Sequence, residues 1–111
     1  MEVVRLEIPE VLLLRPERFT DDRGYFVESF NAKRFSAATG LQTTFVQDNQ
    51  SLSHAVGTVR GLHFQRPPSA QVKLVGVAHG RILDVAVDVR RGSPTFGRHV
   101  TVELSGTCGQ Q

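Results

Sequence analysis

Between His99 and Leu104 the chain alternates without interruption: Val100, Val102 and Leu104 are apolar, and His99, Thr101 and Glu103 are polar. That period of two predicts a half-buried strand. The same alternation runs through "RILDVAVDV" (81–89), where Leu83, Val85, Val87 and Val89 interleave with Asp84, Ala86 and Asp88. The apolar run "VKLVGVAHG" (72–80) just before it predicts a hairpin partner, turning near His79-Gly80. Further strands are expected in "VLLLRPERF" (11–19), broken at Pro16, and in "YFVESF" (25–30), after the turn signal "DDRG" (21–24). "TTFVQDNQS" (43–51) and "VRGLHFQ" (59–65) complete the set, separated by the turn "HAVGT". "RRGSPTFG" (90–97) is expected to be a loop, and the tail "SGTCGQQ" has almost nothing to bury.

Only "NAKRFSAATG" (31–40) predicts a helix. Asn31 can cap its start, Ala32, Ala37 and Ala38 favour it, and Gly40 stands where a left-handed residue ends a helix. Many short strands with one small helix, near residues 31–39, predict an all-β sandwich or barrel of jelly-roll type. No repeat or linker divides the chain, so a single domain over 1–111 is expected.

Strand parity also sorts the polar residues. Gln47 and Asn49 share a face with Phe45, while Phe26 shares one with Glu28 and Phe30. Such residues belong either to a wet sheet surface or to a ligand-facing barrel interior. In "VRGLHFQ" a regular strand sends Arg60 and His63 to opposite faces. They reach one pocket only if Gly61 bends the strand, a common use of glycine. Lys73 falls in parity with Val75, Val77 and His79. It either reaches water from the strand end or needs a partner or ligand. A histidine base with a lysine to stabilise an oxyanion is the minimum for removing a proton next to a carbonyl.

Composition narrows the field. Of 111 residues, 13 are Lys or Arg and 11 are Asp or Glu, giving a net charge of +2 with no basic cluster. Neither a nucleic-acid stripe nor a polybasic membrane patch is supported, though a small anionic ligand is easily accommodated. No apolar run approaches membrane-spanning length, and Glu2 stands where a signal peptide starts basic, so the cytoplasm is the expected location. The single cysteine, Cys108, cannot form an internal disulfide. His54, His63, His79 and His99 lack metal-ligand spacing, so no metal site is expected. The glycine and serine fingerprints of hydrolases, NTPases and dehydrogenases are missing.

Taken in order, "IPEVLLLRPERFTDDRGYFVESFN", "FVQDNQSLS" and "VRGLHFQRPPSAQVKLVGVAHGRILDVAVDVRRGSPTFGRHVTVELS" resemble the N-terminal portion of the dTDP-4-dehydrorhamnose 3,5-epimerases, over residues 8–105. These are cupin-type jelly-roll enzymes of deoxysugar nucleotide biosynthesis. The resemblance implies that His63 is the base that removes protons from C3 and C5 of a 4-keto sugar, and that Lys73 stabilises the enolate oxygen. It assigns Arg60 to the pocket near the diphosphate, and Arg23, Phe26 and Glu28 to the nucleotide. Gln47, Asp48 and Asn49 match the substrate-contacting "QDN". It further implies a dTDP-4-keto-6-deoxy-sugar substrate, no cofactor or metal, and a homodimer with strands exchanged between subunits.

The family's acid, a tyrosine, and the carboxylate that orients the histidine fall beyond the position of Gln111. Tyr25, the one tyrosine, does not match that acid. The chain alone is therefore expected to be inactive as a complete epimerase. The alternatives are a non-catalytic module that binds a nucleotide sugar and an oligomerisation unit built on the same fold.

Overall fold

The computed structural model describes residues 1–111. Its regular structure is mostly strand with one short helix. The strands are β1 (Glu2–Arg5), β2 (Leu12–Arg15), β3 (Arg18–Asp21), β4 (Gly24–Val27), β5 (Arg81–Val87) and β6 (His99–Ser105), and the helix is α1 (Ala32–Thr39). They form three two-stranded antiparallel sheets: β1 with β2, β3 with β4, and β5 with β6. The chain divides into two compact units, one of residues 1–42 with 74–111 and one of residues 43–73. All the regular elements belong to the first.

The core of the first unit gathers Ile8, Leu13, Leu14, Phe35, Val100 and Leu104. Consecutive strand residues point to opposite faces, yet Leu13 and Leu14 are both buried. One covering group is the tail. Leu14 N–H donates to Gln111 O at 2.7 Å, and Gln111 N–H returns a bond to Leu14 O at 3.0 Å. The expectation that the tail packs nothing is thus corrected: Ser105 is buried, and the segment after it finds backbone partners.

Helix α1 follows its punctuation. Asn31 is extended (φ −147°, ψ 116°), and its Oδ1 accepts the Arg34 N–H at 3.1 Å. Gly40 closes the helix at φ 76°, donating its N–H to Ser36 O at 2.9 Å. One turn apart, Phe35 and Thr39 form the buried stripe. The "DDRG" signal likewise makes its turn: Asp21 pairs with Gly24, and Asp21 Oδ1 accepts the Arg23 N–H at 2.9 Å.

The partner of β5 is a correction. Residues 72–80 form no strand, and β5 pairs instead with β6, from Arg81 opposite Ser105 to Val87 opposite His99. Alternation marks a strand but does not name its neighbour, and the longer connection is stabilised from inside. The Asp88 carboxylate accepts Arg90 Nε and Nη2, Ser93 Oγ and Thr95 Oγ1, at 2.6 to 2.9 Å. Arg90 then reaches Glu10 at 2.8 Å. Asp88 N–H and O also pair with Arg98 O and Gly97 N–H, which starts the return into β6.

The inward face of β5 is also reversed. Register places Ile82, Asp84 and Ala86 beside Leu104, Val102 and Val100, while Leu83 and Val85 share the outer face with Glu103 and Thr101. Leu83 is 68% exposed, whereas Asp88 is 5% exposed with its hydrogen bonds satisfied. Burial follows the face that β6 turns to the core, not the face with more valines.

No strand forms over 43–51 or 59–65. A strand needs a neighbour for its N–H and C=O groups. Backbone pairing in the second unit is local, as in Ser69 N–H to Arg66 O at 2.9 Å. Val46, Val59, Leu62 and Phe64 are exposed there.

Candidate substrate site

The candidate side chains fall into two groups, one in each unit. The first stands on the β3–β4 hairpin. Its two-residue loop sets the register, so Phe19 lies opposite Phe26 on one face, and Thr20 lies opposite Tyr25 on the other. Phe19 and Phe26 are both largely exposed and, with Asp21, Arg23 and Tyr25, line a shallow concavity of about 440 Å³. Exposed aromatic rings beside a cation suit a flat, anion-bearing ligand. At the turn, Arg23 Nε and Nη2 both donate to Asp21 Oδ2. The Arg23 guanidinium holds the Asp21 carboxyl below the usual carboxylate range, and Asp21 in turn raises Arg23.

Behind the hairpin, the Arg18 guanidinium lies 4.0 Å from the Tyr25 ring centroid and donates to the carbonyls of Gly106 and Thr107. Glu28 turns elsewhere. Its Oε1 accepts Arg34 Nη1 at 3.1 Å and its Oε2 accepts Asn31 Nδ2 at 3.2 Å, both at the start of α1. Arg34 first, then Asn31, lower its pKa. The hairpin thus unites Arg23 and Phe26 at one concavity, whereas Glu28 is engaged with the helix start.

The second group lies within residues 43–73. Gln47 Nε2 donates to Asn49 Oδ1 at 3.2 Å, which joins two of the three "QDN" side chains; Asp48 is exposed beside them. Arg60 donates from Nε to Ser53 Oγ at 3.0 Å and from Nη2 to Leu52 O at 3.1 Å. No ladder runs through Gly61, which takes φ +101°. The His63 ring lies against it: a Cβ on Gly61 would stand 3.3 Å from both the backbone N and Nδ1 of His63. His63 and Lys73 are exposed. No three His, Cys, Asp or Glu side chains gather in a way that could hold a metal ion, and no helix is long and apolar enough to cross a membrane.

Sequence reasoning passed over two of these residues. Phe19 was legible through the turn, because a two-residue loop at Asp22-Arg23 puts it opposite Phe26. Ser53 carried no signal, since its role depends on how the 52–60 loop closes.

A profile of the dTDP-4-dehydrorhamnose 3,5-epimerases matches residues 5–111. The chain belongs to this family. The dTDP-4-dehydrorhamnose 3,5-epimerase of Shigella flexneri is 53% identical over 111 residues, covering 100% of this chain and 61% of that protein. The Sinorhizobium fredii protein of the same description is 56% identical over 109 residues, covering 96% of this chain and 54% of its own length. Among solved structures, the Bacillus anthracis epimerase with TDP and PPi bound aligns with a TM-score of 0.94 at 45% identity, covering 99% of this chain and 62% of that one. A Legionella pneumophila epimerase in complex with dTDP-4-keto-L-rhamnose gives 0.93 at 46% identity, covering 99% of this chain and 57% of that one. The chain spans between 31% and 61% of the length of the curated relatives it matches.

Proposed function

We propose that this chain carries the base-bearing portion of an epimerase site for a dTDP-4-keto-6-deoxyhexose, on a cupin-type jelly-roll domain. The observation that carries the reading is the family match over residues 5–111, a span that includes His63, Lys73 and Arg60. Hydrogens at C3 and C5 are acidic because the C4 ketone can take up the resulting charge as an enolate. His63 removes such a proton as general base, and the Lys73 ammonium stabilises the enolate oxygen. Return of a proton to the opposite face of that carbon inverts it.

Arg60 holds the diphosphate. Arg23 and Phe26, with Glu28, serve the nucleotide, and Gln47, Asp48 and Asn49 orient the sugar. The paired aromatic face of Phe19 and Phe26 beside Arg23 supports the nucleotide assignment. The assembly is a homodimer with exchanged strands, working in the cytoplasm on dTDP-rhamnose-type precursors, with no cofactor.

A second reading, binding without turnover, is favoured by the exposed Phe19–Phe26 face beside Arg23, which suits a nucleotide whether or not a proton is moved. Deuterium incorporation from solvent at C3 and C5 of dTDP-4-keto-6-deoxyglucose separates the two. Exchange by the chain that disappears in His63→Ala, with dTDP binding retained, supports the catalytic reading. Binding with no exchange in the unaltered chain leaves the binding module.

A further inference from the structure

We propose that Ser53 is a positioning residue that turns the Arg60 guanidinium toward the diphosphate of a nucleotide sugar. The inference rests on the reading of Arg60 as the diphosphate ligand and adds what aims it.

A guanidinium presents its N–H groups in a planar fork. Nε and Nη2 share one edge, and in this chain both donors on that edge are occupied, by Ser53 Oγ at 3.0 Å and by Leu52 O at 3.1 Å. Two bonds on a single edge fix the plane of the group as well as its position. The opposite end, Nη1 with the second hydrogen of Nη2, makes no hydrogen bond or ion pair and belongs to an exposed side chain. That free end is the geometry that grips two oxygens of a phosphate at once.

The loop that supplies the clamp is itself closed locally. Gly57 takes φ +80°, and Thr58 Oγ1 donates to Ala55 O at 2.7 Å, so the chain doubles back and brings residues 52 and 53 under Arg60. An unclamped arginine would divide its time among many rotamers, and binding would have to select one. The Leu52 acceptor is a main-chain carbonyl, which a side-chain substitution leaves in place. Ser53 is the replaceable half of the clamp.

The test titrates dTDP and, separately, thymidine into the chain and its Ser53→Ala, Ser53→Thr, Arg60→Ala and doubly substituted S53A/R60A forms. Nitrogen-15 NMR follows the Arg60 Nε–H in parallel. Ser53→Ala is expected to weaken dTDP binding about 3- to 10-fold and leave thymidine unchanged, with the Arg60 Nε–H signal shifted. Ser53→Thr, which keeps the hydroxyl, restores both. Arg60→Ala is expected to weaken dTDP about 10- to 100-fold, and adding Ser53→Ala to it costs nothing more.

If Arg60→Ala weakens dTDP but Ser53→Ala does not, or if the two losses add, the positioning role is overturned while the reading of Arg60 stands. If the chain binds no dTDP, or Arg60→Ala binds it undiminished, the reading of Arg60 falls and the proposal with it. An Nε–H signal unmoved by Ser53→Ala overturns the clamp directly.

Discussion

Arg90 Nη2 lies 2.8 Å from Asp88 Oδ2, and the Asp88 side chain is wholly buried while half of Arg90 remains in water. The pair organises the connection between β5 and β6 from within. Hydrogen bonds from Arg90, then Ser93 and Thr95, hold the Asp88 carboxyl far below the usual carboxylate range. A depressed carboxyl stabilises the fold above the unfolded aspartate value of about 3.9, and that contribution is lost as pH falls further toward the folded value. Thermal unfolding followed by circular dichroism is expected to show a flat midpoint near neutrality and a fall below about pH 4. Asp88→Asn lowers the neutral midpoint by several degrees and flattens the acid limb. An Asp88→Asn protein as stable as the parent at pH 7 would refute the role.

Gly61 is expected to resist substitution for a reason separate from stability. At φ +101° an L side chain carries backbone strain of roughly 1–3 kcal/mol, and its Cβ would press on the His63 ring and amide at 3.3 Å. Relief turns either the backbone or the imidazole. Gly61→Ala should therefore reduce deuterium exchange into the keto sugar by at least about tenfold, equivalent to 1.4 kcal/mol, while dTDP affinity changes much less. Equal losses in both measurements would mean that the loop has collapsed rather than that the His63 ring has moved.

The opposed rings of Phe19 and Phe26 offer a face to a nucleobase, and base–aromatic stacking is worth about 1–3 kcal/mol per base. Phe26→Ala and Phe19→Ala are each expected to weaken dTDP binding by about 5-fold or more, with pyrophosphate binding unaffected. Calorimetric titration with the two ligands reads the difference directly. Should both ligands weaken together, the hairpin holds the diphosphate rather than the base.

Local punctuation proved more legible than partnership. Asn31 and Gly40 bound α1 as their side-chain chemistry requires, and "DDRG" makes a tight turn, because each signal acts within a few residues of itself. The alternation of Val100, Val102 and Leu104 likewise reports the buried side of β6. What β5 pairs with is a long-range matter, and the valine-rich face of β5 gave the wrong side because burial follows the face that β6 turns to the core. The run 59–65 reads as a strand because its residues suit one, but a ladder needs a second edge. Within the candidate site, the roles proposed for His63, Lys73 and Arg60 rest on residue type and order, while their positions rest on loops that no strand pattern describes. Ser53 was invisible, since nothing in "SLS" announces that Arg60 will fold back onto it.

Arg18 and Phe19 are neighbours that face opposite ways. The arginine fastens β3 to the carbonyls of Gly106 and Thr107 and covers Tyr25, leaving the phenylalanine on the open side. The hairpin is therefore pinned from behind by the chain that follows β6. A flat ligand settling on Phe19 and Phe26 meets a surface whose backbone is already ordered, so little of its binding free energy is consumed in arresting motion. Affinity at such a face depends on the ligand's shape more than on the protein's willingness to rearrange.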